Sequence, residues 1–326
     1  MLKRQYLSIA AIFASFFALT VIGLGAFTRL MDAGLGCPDW PGCYGHLTVP
    51  STGTLDVFKA WAEMIHRYFA GSLGLMILVI FCLIFSKALR SRSNIILGVS
   101  LLALLIYQIL LGQWTVTYKL LPIVVTQHLL GGFLILSILW LIYLNNSDQS
   151  SGRVEQPTSI KIGAVIGLIL VFLQIFLGAW TSTNYASFSC PDFPFCMNSD
   201  PLMAMDFNEA FTFFSPVGVN YEGGVLSQQA RQTIQMMHRL GALLITLYLF
   251  VYTVYFMKNI NTEPALLKSI YLIWGLLFIQ LCLGMINVIF KLPLVTAIGH
   301  NLIAVVLLLS VITLVYKLFV GKVSDP

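Results

Sequence analysis

The sequence predicts an all-α integral membrane protein whose eight transmembrane helices form two pseudo-symmetric four-helix bundles. An apolar composition, eight long apolar runs and an internal repeat lead to this reading. Of the 326 residues, 58% are hydrophobic and 10% are charged, and the mean hydropathy is +0.89. So few charges cannot clothe a water-soluble globule of this size.

Crossing about 30 Å of hydrocarbon takes roughly 20 helical residues. Runs of that kind stand at 8–30, 62–86, 94–117, 123–144, 160–183, 231–257, 265–288 and 294–318. The first is too long for the core of a signal peptide and continues into GLGAFTRL without a cleavage site, so it is expected to be retained. Lys and Arg accumulate on the cytoplasmic side of membrane proteins. With the N-terminus inside, that side collects eleven of them against seven. Both termini are therefore expected in the cytoplasm of a bacterial inner-membrane protein, with the long connections 31–61 and 184–230 outside. The net charge of +5 belongs to this orientation signal, and no nucleic-acid partner is expected.

The chain repeats itself. GAFT at 25–28 precedes Cys37, and GAWT at 178–181 precedes Cys190, each 153 residues further on. Later landmarks move by 172: His66 to His238, QILLG at 108–112 to QLCLG at 280–284, Lys119 to Lys291 and His128 to His300. The second outer loop thus carries 19 additional residues. Each half has four helices and starts inside, so the repeats are parallel. The polar stretch NNSDQSSGRVEQPTS at 145–159 reads as the linker between units 1–150 and 151–326. Transporters share such duplications, so the chemistry has to come from particular residues.

Four of the five histidines lie near the outer ends of helices at matching places in the two halves. Ionisable groups within a span are costly and mark function. His66 with His128, and His238 with His300, are each 62 residues apart, which predicts one facing pair per bundle. Two imidazoles in an apolar bundle suit heme iron, whereas zinc or copper would want three or four protein ligands. Two heme irons are expected, one per pair. Arg67 and Arg239 follow His66 and His238; they are candidates for heme propionate contacts, or else they snorkel to the interface. His46 in the outer loop receives no role.

The repeat breaks at one place. The first half reads Glu63-Met-Ile-His66-Arg67 and the second Gln235-Met-Met-His238-Arg239. Residues three apart share a helix face, so Glu63 stands beside the first histidine site. A carboxylate belongs where a proton is taken, which makes the first site the candidate for chemistry and the second the candidate for electron transfer. The alternative is a helix-start acid favoured by the macrodipole. CPDWPGC at 37–43 and CPDFPFC at 190–196 lie in outer loops, where an oxidising compartment would close Cys37–Cys43 and Cys190–Cys196 as local disulfides. Cys82 and Cys282 read as small packing residues within helices.

With GAFTRL, CPDWPGCYG, EMIHRYFAG, QHLLGG, CPDFPFC, MHRLGA and GHNLIA in this order, the chain resembles the heme A synthase family over nearly its whole length. The resemblance implies an oxidoreductase that turns the C8 methyl of heme O into the formyl of heme A for a terminal oxidase. It implies heme b as cofactor on His238 and His300, heme O as substrate on His66 and His128, and Glu63 as the essential carboxylate. Membrane lipid around the substrate's tail, heme O synthase and oxidase assembly factors are the implied partners, with the electron acceptor unnamed. The rival readings are a di-heme b-type electron-transfer subunit, a heme transporter or chaperone, and a membrane thiol oxidant.

Overall fold

Helix runs through the chain from end to end in the computed structural model, which describes residues 2–50, 56–87, 89–147, 155–196, 205–260 and 264–320. The elements are α1 (Leu2–Leu30), α2 (Val57–Ile84), α3 (Arg92–Thr117), α4 (Pro122–Asn146), α5 (Thr158–Thr183), a 3-10 turn (Ala186–Phe188), the short α6 (Phe207–Ala210), α7 (Gln228–Asn259), α8 (Pro264–Ile289) and α9 (Leu294–Val320). Eight of them are long and apolar enough to span a bilayer. Among the described residues there is no strand, only an isolated bridge between Cys43 and His46. The all-helical, eight-span expectation holds. Of the expected linker, residues 148–154 lie outside the described residues.

Capping chemistry sets where the helices begin. The Asp56 carboxylate accepts the Lys59 amide at 3.1 Å, the Ser91 hydroxyl that of Asn94 at 3.2 Å, and the Ser227 hydroxyl that of Ala230 at 3.2 Å. Pro122 opens α4, where its missing N–H costs nothing. Hydropathy alone placed the second span at 62–86, but the Asp56 cap starts α2 at Val57. Glu63 is therefore the seventh helical residue and lies beyond the first turn, where a macrodipole preference would act.

Within the first half, α1 packs on α2 and α4, and α3 packs on α2 and α4; within the second, α5 packs on α7 and α9, and α8 on α9. The halves meet where α1 and α4 reach α9 and where α4 reaches α5. One apolar core, from Leu7 through Phe133 and Ile245 to Leu318, continues across both. Polar groups at the seam are paired, as hydrocarbon requires. Trp140 Nε1 donates to Thr313 Oγ1 at 2.8 Å, and the hydroxyls of Thr126 and Thr183 meet at 3.0 Å. Cys82 faces outward from α2 rather than into the packing, whereas Cys282 is half-buried.

The repeat extends to unusual backbone. The α3–α4 turn places Lys119 and Leu120 at φ 48° and 62°, and the α8–α9 turn places Lys291 and Leu292 at 56° and 61°. Left-handed conformations at such side chains are uncommon, so their recurrence reflects one turn used twice. The longer outer loop of the second half leads across the molecule. Tyr221 is buried against Leu111, Leu120, Leu121 and Val124, and its amide donates to the Lys119 carbonyl at 3.0 Å. The additional residues thereby strap the second half onto the outer end of the first.

Candidate functional site

Both histidine pairs form. His66 on α2 and His128 on α4 have ring centroids 6.4 Å apart with planes at 88°, and His238 on α7 and His300 on α9 have centroids 6.4 Å apart with planes at 77°. A metal–imidazole bond is about 2 Å and a ring nitrogen lies about 1.1 Å from its centroid, so two axial imidazoles on one iron place centroids about 6.2 Å apart. The spacing fits heme iron at both pairs. Among the described residues no group of three or more His, Cys, Asp or Glu comes together. Each pair thus suits a metal that brings its remaining ligands in its own macrocycle.

Glycines let the imidazoles nestle against neighbouring helices. An alanine methyl would stand 3.0 Å from His66 Cε1 at Gly25, 3.5 Å from His128 Cε1 at Gly112, 3.1 Å from His238 Cε1 at Gly178 and 3.2 Å from His300 Cε1 at Gly284. Two of these glycines belong to the repeated GAFT and GAWT, and two to QILLG and QLCLG. The repeats were visible in the sequence; that they cradle the histidines was not.

The surroundings of the pairs differ. The Gln280 amide nitrogen lies 3.1 Å from His300 Nε2, and that of Gln174 lies 3.1 Å from His238 Nδ1 while donating to the His238 carbonyl at 2.9 Å. Gln174 stands where the first half has Val21. Nδ1 of His66, His128 and His300 is buried without a hydrogen-bond partner among the described residues. The sequence reading missed both glutamines. Gln280 opens a recognised repeat motif, whereas only alignment of α1 with α5 would expose Gln174.

Glu63 is 4% exposed, and each of its carboxylate oxygens has a partner. Its Oε2 accepts the Cys37 amide at 2.9 Å, and its Oε1 pairs with Arg67 Nη2. Arg67 Nη1 donates to the carbonyls of Asp39 at 2.9 Å, Gly42 at 2.6 Å and Pro41 at 3.3 Å. Gly36 makes this possible, because a Cβ there would lie 2.6 Å from the Lys59 backbone in the first turns of α2. Asp39 closes the loop by accepting the amides of Tyr44 and Gly45 at 2.6 and 2.7 Å. Cys37 is bonded to Cys43, and Cys190 to Cys196, as expected. His46 is exposed, and its backbone pairs with that of Cys43.

In the second half Arg239 grips the corresponding loop. Nη1 donates to the carbonyls of Asp192, Pro194 and Phe195 at 2.7, 3.1 and 2.9 Å, and Nη2 donates to that of Cys190 at 2.9 Å. Gln235, at the place of Glu63, is buried, with no hydrogen-bond partner for its Oε1 among the described residues. Arg239 thus spends both terminal nitrogens on loop carbonyls, whereas Arg67 divides its own between loop carbonyls and Glu63. Arg239 Nε is buried without a partner among the described residues and is the donor left for an anion.

The comparisons agree with one another. Residues 8–312 match the family model COX15-CtaA, described as cytochrome oxidase assembly protein. A protein of Shewanella oneidensis named heme A synthase is 41% identical, covering 93% of this chain and 94% of its own length. One of the same name from Lysinibacillus sphaericus is 27% identical over 93% of this chain and 92% of its own. A third, from Bacillus cereus, is 22% identical over 92% and 89%. A family match over nearly the whole chain, on a fold that pairs four histidines toward one end of its spans, places this chain in the COX15-CtaA family of cytochrome oxidase assembly proteins.

Proposed function

We propose that the chain is a heme A synthase of the bacterial inner membrane, oxidising the C8 methyl of heme O stepwise to the formyl of heme A. In this reading 1–150 form the substrate unit, with heme O on His66 and His128, and 151–326 the cofactor unit, with heme b on His238 and His300. Both termini face the cytoplasm and both sites the periplasm, the substrate's apolar tail lying in lipid. Heme O synthase and oxidase assembly factors are the proposed partners. The observation that carries the reading is the asymmetry between two otherwise equal histidine pairs: a buried, clamped carboxylate beside one and an amide beside the other.

His66 and His128 fix the substrate's iron and so the edge of its macrocycle, while Gly25 and Gly112 set where the imidazoles stand. Each oxidation replaces one C–H bond of the methyl carbon by a C–O bond to a water-derived hydroxyl and releases two protons and two electrons. Glu63, one turn from His66, accepts one proton, the other leaves to water, and the electrons pass one at a time to an external electron acceptor. A second such oxidation gives a geminal diol, which loses water to the aldehyde. Each carboxylate oxygen has two acceptor positions, so the bonds from Cys37 and Arg67 orient Glu63 without filling it. A heme on His238 and His300 supplies one-electron redox chemistry. Gln174 and Gln280 lie against its ligand histidines, and Arg239 Nε is the donor offered to a propionate.

Pigment analysis of the purified protein tests this. Heme B together with heme O or heme A is the expected content; heme B alone would mean a di-heme electron carrier.

A further inference from the structure

Where α1 and α4 of the first half meet α8 and α9 of the second, a cavity of 340 Å³ opens, a size typical of ligand sites at about 300–1,000 Å³. It lies toward the opposite end of the spans from the histidine pairs. Trp140 stands in the last two turns of α4, Lys317 in the last turn of α9 and Lys268 in the second turn of α8. With eight spans, this is the end that carries both termini. Phe16, Leu136 and Leu309 form apolar walls, and the exposed Lys268 and half-buried Lys317 line the cavity beside the start of α8 and the end of α9. Lys317 Nζ donates to the Ala265 carbonyl at 3.3 Å and to Ser269 Oγ at 3.1 Å, which holds the ammonium there. Among the described residues no Asp or Glu lines the cavity.

We propose that this seam cavity binds one anionic phospholipid, its phosphate between Lys268 and Lys317 and an acyl chain along Phe16, Leu136 and Leu309. Charge complementarity selects the headgroup. Basic pockets between spans at headgroup depth recognise anionic lipids, and each lysine near the surface adds to their attraction. A free phosphate would leave the apolar body unfilled, and a zwitterionic lipid brings a cation of its own to two ammoniums. Walls come from both halves, so the lipid joins them at the end away from the loop strap. The inference is independent of the heme assignments.

The test places purified protein in nanodiscs of dioleoylphosphatidylcholine with a minor fraction of dioleoylphosphatidylglycerol. Lipid retained after release into detergent is then read by native mass spectrometry. Retention of one phosphatidylglycerol in preference to phosphatidylcholine is expected. The double variant K268Q/K317Q should lower that preference roughly tenfold at unchanged helix content. Leu309→Trp, which fills the cavity and leaves both lysines, should also lose the lipid. Equal retention of the two lipids by the unaltered protein, or undiminished preference in the double variant, overturns the proposal. So does undiminished preference in Leu309→Trp, because retention would then come from surface charge alone.

Discussion

Glu63 and Gln235 occupy the same place on α2 and α7, and their arginine neighbours divide their bonds accordingly. Arg67 gives one nitrogen to the Glu63 carboxylate, whereas Arg239 turns the equivalent nitrogen to the Cys190 carbonyl. The identities of these residues were legible in the sequence because an acid or a histidine is conspicuous in an apolar run. The bonds of the arginines were not, since they end on loop carbonyls that only the folded disulfide loops bring within reach. Glu63→Gln tests the charge itself. The side chains are nearly equal in volume and the second half shows that an amide fits this place, so helix packing and heme content should persist. Arg67 would then be free to take the Cys37 carbonyl in the manner of Arg239. Conversion of heme O to heme A, measured at matched protein level, should fall at least about a hundredfold, as for loss of a positioned acid or base. Accumulated alcohol would place the carboxylate at the second oxidation, and unreacted heme O at the first. Near-normal conversion would leave Glu63 a loop anchor only.

Helix positions and lengths followed from hydropathy to within a few residues, except at the starts of α1 and α2, which precede the apolar runs expected from 8 and 62 by six and five residues. At α2 the polar cap at Asp56 extends the helix beyond its apolar run. Contacts between helices were less legible, because a repeated motif announces itself without naming what it touches. GAWT is the case in point: Gly178 on α5 faces His238 on α7 at a distance that leaves no room for a side chain. Gly178→Val should push the imidazole from its place and reduce the heme retained per protein about tenfold or more, the usual cost of disturbing a ligand's support. Gly275→Val on α8 is the control, since a Cβ there meets nothing within 4 Å. Pyridine hemochrome measurements compare the two. Equal heme content in both variants would show that the glycine contact does not position the ligand.

At the scale of the whole molecule, duplication supplies two histidine pairs of one geometry, and the second half's longer loop adds a large departure. The 19 additional residues were countable in the sequence, yet their destination against the α3–α4 turn depended on burial of Tyr221 far from its own half. In the proposed assignment, the equal spacing of the pairs leaves the choice between resident and substrate heme to their surroundings. Gln174 and Gln280 lie against His238 and His300, and Val21 stands where the first half would hold the counterpart of Gln174. A cofactor is retained and a substrate must leave, so the pair without the carboxylate beside it should hold the resident heme. Replacing His238 or His300 by Ala removes an axial ligand and opens a cavity in an apolar bundle, and should strip that heme from the purified protein. Replacing His66 or His128 should leave heme B largely in place while abolishing heme A formation. Absorption spectra and extracted pigments of the four variants distinguish the outcomes. Heme B lost from the His66 and His128 variants but kept by the other two would reverse the assignment of the halves.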